Sequence, residues 1–132
     1  MAIAYKINTP LHSKEVSDMF IRSGIKRPAN DLDRIQRMID HADVHISAWD
    51  GEKLIGLARA ITDFSYCCYL SDLAVCKTYQ KRGIGTELVK VLREHLGDEV
   101  SLLLLSAPTA MDYYPRIGFE KIENAFLIPR IK

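Results

Sequence analysis

The stretch that decides the fold is VCKTYQKRGIGTELV, residues 75–89. An apolar strand runs into a polar turn, two glycines follow, and an amphipathic helix begins. Glycine is a much poorer helix former than alanine, so Gly83 and Gly85 at the start of a helix need an explanation. Either they serve the turn itself, or they let a ligand approach the first free backbone N–H groups of the helix.

An anion is the ligand that suits this position. The first turn of a helix carries unpaired N–H groups and the positive end of the helix dipole, and two missing Cβ atoms open both to a phosphate. Lys81 and Arg82 add positive charge just before the first glycine. Neither familiar nucleotide motif fits, because Gly85 is not followed by the lysine of a P-loop and Leu88 replaces the third glycine of a dinucleotide fingerprint.

The composition predicts one globular domain over residues 1–132. Apolar residues make up 48% and charged residues 27%, which suits a single core. The net charge of +1 gives no general attraction to nucleic acid or to an anionic membrane, so we expect neither partner. There is no sign of a signal peptide, of a membrane span, of a metal-site spacing or of a disulfide framework, so we expect a cytoplasmic protein without a bound metal.

Hydrophobic periodicity predicts a mixed α/β order of elements. Helices are expected at 13–23, 32–42 and 84–96, a first strand at 2–7, a hairpin over 44–61, and strands at 67–76 and 100–107. The strand, helix and strand over 67–107 predict a right-handed βαβ unit whose two parallel strands are buried. Residues 108–116 predict a short helix or turn, and GFEKI (118–122) and AFLIPRI (125–131) predict two final strands.

Side chains alternate along the predicted strand 67–76. One face is expected to carry Tyr69, Ser71, Leu73 and Val75, and the other face Cys68, Leu70, Asp72 and Ala74.

Two motifs, at this separation, resemble those of the GNAT superfamily of N-acetyltransferases, in its small, single-domain bacterial form. The first is Gln/Arg-x-x-Gly-x-Gly/Ala, present over residues 80–85 as QKRGIG, and the second is a tyrosine four residues before Gly-Phe, present in YYPRIGFEKI, residues 113–122. The order of the elements matches as well. The resemblance implies an α/β (α+β) fold with a mixed, mostly antiparallel twisted sheet, whose central parallel strand pair is flanked by helices.

The resemblance implies that acetyl-CoA binds as the acetyl donor. Its pyrophosphate would lie on the glycine turn, and its pantetheine arm would pair with the backbone of the central strand, where the two parallel strands splay apart. The cofactor-binding residues implied in this way are Leu73, Ala74, Val75, Gln80, Lys81, Arg82, Gly83, Ile84, Gly85, Thr86, Ser106, Ala107, Tyr113 and Arg116.

Tyr114 matches the general acid of the family, because it stands four residues before Gly118. A phenol with a pKa of about 10 keeps its proton at neutral pH and can donate it to the departing thiolate. Packing beside the last strands is the structural alternative for this side chain.

The general base stays open, because Tyr69 and Ser71 stand where the family usually has one. Either could relay a proton through water. Asp72, the nearest carboxylate, is equally suited to be a base or a group that holds neighbouring loops. His45 and Glu52 are weaker candidates, and a covalent route through Cys67 or Cys76 lacks a nearby base.

The resemblance implies direct transfer to the primary amine of a small molecule. The alternatives are a peptide or protein N-acetyltransferase and a non-catalytic acetyl-CoA-binding module. Lys26 and Arg27, in the loop that would wall the acceptor site, could meet an acidic acceptor, although solvated surface charge is the simpler interpretation. Asp63 and Asp72 would favour an amine if they face the pocket, and edge strands near the C-terminus make a homodimer a plausible arrangement.

Overall fold

The computed structural model describes residues 2–132. Its elements in chain order are β1 (Ala4–Ile7), α1 (Ser13–Ser23), α2 (Leu32–Asp40), β2 (Val44–Asp50), β3 (Lys53–Thr62), β4 (Cys67–Val75), α3 (Ile84–Leu96), β5 (Ser101–Leu103) and α4 (Tyr113–Arg116). Two 3-10 turns, Lys77–Tyr79 and Pro108–Ala110, lie between β4 and α3 and between β5 and α4.

The strands form one five-stranded sheet in the order β1-β2-β3-β4-β5. The first three pairings are antiparallel, whereas β4 and β5 pair in parallel. On β3, Gly56 faces α3 and Arg59 faces α2. Residues three apart in a strand point to opposite faces, so the helices lie on both sides of the sheet. The predicted mixed sheet with a parallel pair flanked by helices is confirmed.

The helix ends follow from local chemistry. Gly24 and Gly97 end α1 and α3 with positive φ angles of 83° and 84°, which glycine adopts without steric cost. The side chain of Asp31 accepts a hydrogen bond of 3.0 Å from the Arg34 N–H and so caps α2. The three long helices predicted from periodicity therefore form within two residues of the expected bounds.

The packing of α3 on the sheet depends on a close approach at Gly56. The buried face of the helix carries Ile84, Leu88, Leu92 and Leu96. A Cβ atom on Gly56 would lie 3.3 Å from the Leu88 side chain, the Ala48 side chain and the Ala74 carbonyl oxygen. The helix can therefore sit this close to the sheet because residue 56 has no side chain.

A β-bulge interrupts the alternation on β4. Arg59 pairs with Asp72, but the next residue, Ala60, pairs with Leu70, so Ser71 has no partner on β3. Paired residues share a face of the sheet and consecutive residues of β3 do not. Asp72 and Leu70 therefore lie on opposite faces, and the prediction that they share one is wrong.

The bulge also moves the residues that follow it. Leu73 pairs with Ala58 and Val75 with Gly56, which places both on the α3 side of the sheet rather than beside Tyr69. A bulge commonly re-aims side chains in this way. The side of the sheet that faces α1 and α2 thus receives the Asp72 carboxylate.

The C-terminal region differs from the sequence-based prediction. The strand expected at 100–107 spans only Ser101–Leu103, and no strand follows Leu103 in the described part of the chain. The residues of the two expected final strands are largely exposed, with Phe126 at 99% and Ile128 at 96%. Apolar alternation indicates that a segment could form a strand, but a strand forms only where a neighbouring edge offers backbone partners. Here the chain after Leu103 no longer pairs with β4.

Replacement of Gly56 by alanine is expected to destabilise the fold by about 1–3 kcal/mol, because overpacking forces well-packed neighbours apart. The contacts at 3.3 Å involve a backbone carbonyl and two core side chains, which have little freedom to move. Urea denaturation monitored by circular dichroism measures the change. Lys90→Ala, on the exposed face of α3, is the control, and equal stability of both variants would contradict the close approach.

Candidate active site

The two parallel strands separate after a short pairing. Their register runs from Cys67 opposite Ser101 to Tyr69 opposite Leu103 and stops there. Strand β4 continues to Val75 with β3 as its only paired neighbour. A cleft of about 1200 Å³ opens beside this edge, and its lining includes residues of the loop after α1, of β4 and of 104–110.

The backbone at the open edge is partly satisfied by side chains. Cys76 N–H donates to Ile55 O on β3, so strand alternation turns the backbone groups of residues 73 and 75 away from β3, toward the open edge. The Ser71 carbonyl accepts a hydrogen bond of 2.8 Å from Arg27, and the Val75 carbonyl accepts one of 2.8 Å from the Gln80 amide. The groups of Leu73 and the Val75 N–H face the cleft, whereas the backbone of Ala74 faces β3.

The glycine turn presents the start of α3. Gly83 is the N-cap residue, with a φ of 80° and no capping side chain. The first helical hydrogen bond runs from Glu87 N–H to Gly83 O, so the N–H groups of Ile84, Gly85 and Thr86 have no acceptor within the helix. A Cβ atom built on Gly83 would meet nothing within 4 Å. This set of donors fits a phosphate group.

Gly85 has a neighbour that the sequence did not reveal. A Cβ atom at this position would lie 2.6 Å from the Tyr113 hydroxyl, which in turn lies 3.5 Å from Thr86 Oγ1. The missing side chain therefore makes room for a phenol at the mouth of the helix. Tyr113, implied by the resemblance as a cofactor-binding residue, thus lies at the glycine turn.

The residues before the glycines brace the turn. The Gln80 amide bonds Val75 O on β4 and, at 3.4 Å, Ser23 O at the end of α1. The Arg82 guanidinium lies 5.4 Å from the ring centre of Tyr79, whose hydroxyl donates a hydrogen bond of 2.5 Å to Asp50. Lys81 is exposed and adopts a φ of 65°, a left-handed conformation that non-glycine residues rarely take.

A buried charge cluster lies beneath the cleft. Asp72 is fully buried, and its two carboxylate oxygens accept hydrogen bonds from Arg27 Nε, at 2.5 Å, and from Arg59 Nε. Arg59 also donates to the Ser71 hydroxyl at 3.0 Å and to Met38 O at 3.3 Å. The cluster ties the loop after α1 to three elements of the fold: β3, β4 and α2.

This arrangement favours the structural one of the two roles expected for Asp72. Both oxygens are engaged by guanidinium groups, and the residue has no exposed surface. Neither oxygen therefore faces the cleft as a free acceptor. Asp72 is therefore placed to hold the loop and not to act as a base, and Ser71 is held beside it at 3.5 Å.

The other base candidates lie in different surroundings. Tyr69 is exposed and lines the cleft, but Glu52 lies in the hairpin turn and does not line it. His45 is buried beside Arg59 on the neighbouring strand, and its Nδ1 has no hydrogen-bond partner in the described structure. Burial lowers the pKa of His45.

The cysteines are free thiols in different settings. Cys67 is exposed, while Cys76 is buried and accepts a weak hydrogen bond from Arg22 at 3.5 Å. No general base contacts either thiol among the described residues.

Tyr114, on α4, lines the cleft. Ser71 and Leu73, on β4, line it as well. The Tyr114 ring packs edge-on against Tyr113 and Phe119, at centroid distances of 5.2 and 5.6 Å. Burial raises the pKa of the Tyr114 hydroxyl above its ordinary value, and the nearby Arg27 opposes part of the rise. The hydroxyl therefore stays protonated at neutral pH.

The remaining predicted residues divide into two groups. Ser106 and Ala107 line the cleft opposite β4, whereas Arg116 is exposed on α4 and lies away from the lining. The sequence interpretation missed the role of Arg27, whose position three residues after Gly24 gives no sign of its buried partner. Asp63, expected to favour an amine if it faced the pocket, instead accepts backbone N–H bonds in its own turn.

Two absences apply to residues 2–132. No three His, Cys, Asp or Glu side chains come together as a metal site would require. None of the helices combines the length and apolar character that crossing a bilayer demands.

A protein-family model described as an acetyltransferase (GNAT) domain matches residues 14–128 of the chain. The chain belongs to the GNAT family. A chloroplastic GCN5-related N-acetyltransferase 2 of Arabidopsis thaliana is 37% identical to this GNAT domain over 92 residues, which are 61% of the chain and 36% of the relative. The chain therefore spans about a third of the length of that relative.

Solved structures share the fold over nearly the full length. A probable acetyltransferase from methicillin-resistant Staphylococcus aureus superposes with a TM-score of 0.83 and 20% identity, covering 99% of both chains. The aminoglycoside N-acetyltransferase AAC(6′)-Iy, solved in complex with CoA, superposes with a TM-score of 0.72 and 14% identity, covering 99% of this chain and 96% of its own. At such identities the likeness establishes the GNAT fold alone.

Replacement of Asp72 by asparagine is expected to destabilise this GNAT domain by about 3–5 kcal/mol, because two buried guanidinium groups lose their shared counter-charge. Chemical denaturation at neutral pH measures the effect. Asp18→Asn is the matched control, since Asp18 pairs with Lys14 on the exposed surface of α1 and should cost less than about 0.5 kcal/mol. Similar losses in both variants would show that the buried cluster does not stabilise the fold.

Proposed function

We propose that this protein is an acetyl-CoA-dependent N-acetyltransferase that transfers an acetyl group directly to the primary amine of a small molecule. The observation that carries the proposal is the open edge of β4. It runs from the glycine turn, near Val75, to the cleft where Tyr114 lies, so one edge joins an anion site to a protonated phenol. Family membership and the CoA-bound structural neighbour support the same assignment.

The residues present fit coenzyme A. The free N–H groups at the start of α3 match a diphosphate, and the open space at Gly83 leaves room for it. The outward backbone groups of Leu73 and Val75 N–H match the amide groups of a pantetheine arm, which would pair as an added strand. Acetyl-CoA supplies a thioester, which is an activated acyl group with a thiolate leaving group.

Tyr114 is assigned as the proton donor to the departing sulfur. Its raised pKa keeps the hydroxyl protonated, which is the state that a general acid requires. The two other tasks of the site are to position the acceptor amine and to take its proton. An alkylammonium with a pKa of about 10 must lose this proton before it can attack.

We assign the removal of the amine proton to water that is hydrogen-bonded to the hydroxyl groups of Tyr69 and Ser71. The described residues that line the cleft include no carboxylate side chain, and the engaged Asp72 lies beneath them. The cationic surroundings help, because nearby positive charge lowers the pKa of an ammonium group. The site thus favours the neutral amine without a strong base.

Replacement of Gly85 by aspartate is expected to weaken CoA binding far more than replacement by asparagine. Both side chains displace the Tyr113 hydroxyl, which lies 2.6 Å from the added Cβ position, but only aspartate sets a negative charge against the diphosphate. Such repulsion exceeds the roughly 1.4 kcal/mol that corresponds to tenfold in affinity. Isothermal titration calorimetry with CoA measures both variants, and equal affinities would place the diphosphate elsewhere.

Replacement of Tyr114 by phenylalanine is expected to lower kcat by about 100-fold, the low end for a general acid, because a thiolate already leaves well. CoA affinity should hardly change. A thiol-release assay with a panel of small amines and peptides measures kcat and tests the proposed activity at the same time. Ionisation of the Tyr114 hydroxyl should not lower the wild-type rate below a pH of about 10, because its pKa is raised above the ordinary value.

The assay also separates the alternatives. Turnover with peptides alone would indicate a protein acetyltransferase, and CoA binding without turnover on any amine would indicate a non-catalytic module. A Tyr114→Phe variant with unchanged kcat and weakened CoA binding would reassign the tyrosine to packing.

A further inference from the structure

The charge of the cleft lining is one-sided. Among the described residues that line it, six side chains are basic and none is a carboxylate: Lys26, Arg27, Arg34, Arg59, Arg130 and Lys132. Asp72 lies beneath the surface and does not contribute to the lining. The rest of the lining is apolar or carries hydroxyl groups. A cleft with this lining attracts anionic groups and repels polycations.

The buried cluster keeps a net positive charge. Arg27 and Arg59 share the single carboxylate of Asp72, and no other ion pair to either arginine occurs in the described part of the chain. The exposed fractions of their side chains are 24% and 10%. An uncompensated charge so far out of water is costly unless a ligand supplies the counter-charge.

The cluster also has donors to spare. A guanidinium has five N–H donors. Arg27 uses donors on Asp72, Lys26 O and Ser71 O, and Arg59 uses donors on Asp72, Met38 O and the Ser71 hydroxyl. Two N–H groups of each guanidinium therefore have no acceptor in the described structure. A carboxylate is the group that matches such a fork.

The excess charge lies too far from the glycine turn to serve the diphosphate. Arg27 contacts Ser71, whereas the turn is braced at Val75. Four residues of strand separate these points by about 13 Å. Arg27, Arg59 and Tyr114 instead line the same cleft. The excess charge thus belongs to the cleft in which the acceptor would react, and not to the glycine turn.

We propose that the acceptor is a small amine that carries a carboxylate close to its amino group, such as a free amino acid. This inference rests on the proposed acetyltransferase function and names the substrate class of the same site. The carboxylate binds at the Arg27–Arg59 pair, and the amino group lies toward Tyr114. Polyamines and aminoglycosides, which carry several positive charges and no carboxylate, are poor acceptors.

The test compares each amino acid with its own methyl ester. The ester keeps the amine and the side chain but loses the negative charge. Glycine, L-leucine and L-glutamate, their methyl esters, O-phosphoethanolamine and spermidine are assayed by thiol release. We expect kcat/KM for each acid to exceed that for its ester by about tenfold or more, in the range of a charge-assisted contact. Ester or spermidine turnover equal to that of the acids would overturn the inference while leaving the acetyltransferase function intact.

Variants of Arg27 test whether this residue causes the preference for acids over esters. Arg27→Gln leaves Asp72 with one arginine and removes the excess charge. The ratio of kcat/KM for an acid to kcat/KM for its ester should therefore fall toward one, through a higher KM for the acid. Arg27→Lys keeps the charge and should retain part of the ratio. Lys90→Gln, which removes a charge from the exposed face of α3, should leave the ratio unchanged. An unchanged ratio in Arg27→Gln, at wild-type CoA affinity, would overturn the assignment to this pair.

Binding provides a readout that does not need turnover. The CoA-saturated protein is titrated calorimetrically with each acid and each ester. Tighter binding of the acids supports the carboxylate site even if no amine is acetylated, in which case the proposed reaction alone fails. Equal binding of acid and ester rules the site out. Preferential binding of O-phosphoethanolamine would overturn the carboxylate assignment and indicate that the site recognises a phosphate group.

Discussion

The end of the pairing between β4 and β5 is the constraint on which the rest of the structure depends. After three paired residues the second strand departs, and the edge of β4 beyond Tyr69 faces a cleft without a neighbouring strand. Buried backbone groups without partners are costly, so the fold must supply substitutes. Arg27 supplies one at Ser71 and Gln80 supplies another at Val75. The groups left between these two points are the ones that a strand-like ligand would meet.

The bulge at Ser71 explains how charge reaches this edge. A regular β4 would place Asp72 on the α3 side, against the apolar face of that helix. The extra residue turns the carboxylate to the other side, where Arg59 from β3 and Arg27 from the loop meet it. One carboxylate then fixes the loop over the cleft, and the second arginine makes the cluster positive. The same irregularity thus anchors the wall of the site and sets its charge.

The sequence predicted the parts of the fold that depend on local patterns. Helical periodicity, Gly24 and Gly97 set the helices, and the glycine turn was recognised from its spacing. The bulge left no trace in an apolar strand, so the alternation predicted for β4 failed beyond Ser71. The prediction of two final strands was wrong. Alternation in AFLIPRI indicates that the segment could form a strand, but not that a neighbouring strand edge is available to pair with it. Arg27 looked like surface charge because its partner is 45 residues away.

The two halves of the site therefore differ in how they are encoded. The proposed donor half consists of backbone groups, held by glycines and a helix start within one continuous segment, and such a segment is recognisable as a motif. The proposed acceptor half consists of side chains from the loop after α1, from β3 and from β4, which are joined only by folding. Proteins that share the fold can keep the first half and change the second, because the hydrogen bonds of the second half involve no residue of the glycine turn. A fold shared with an aminoglycoside acetyltransferase is thus compatible with a cleft whose described lining has basic side chains and no acidic ones.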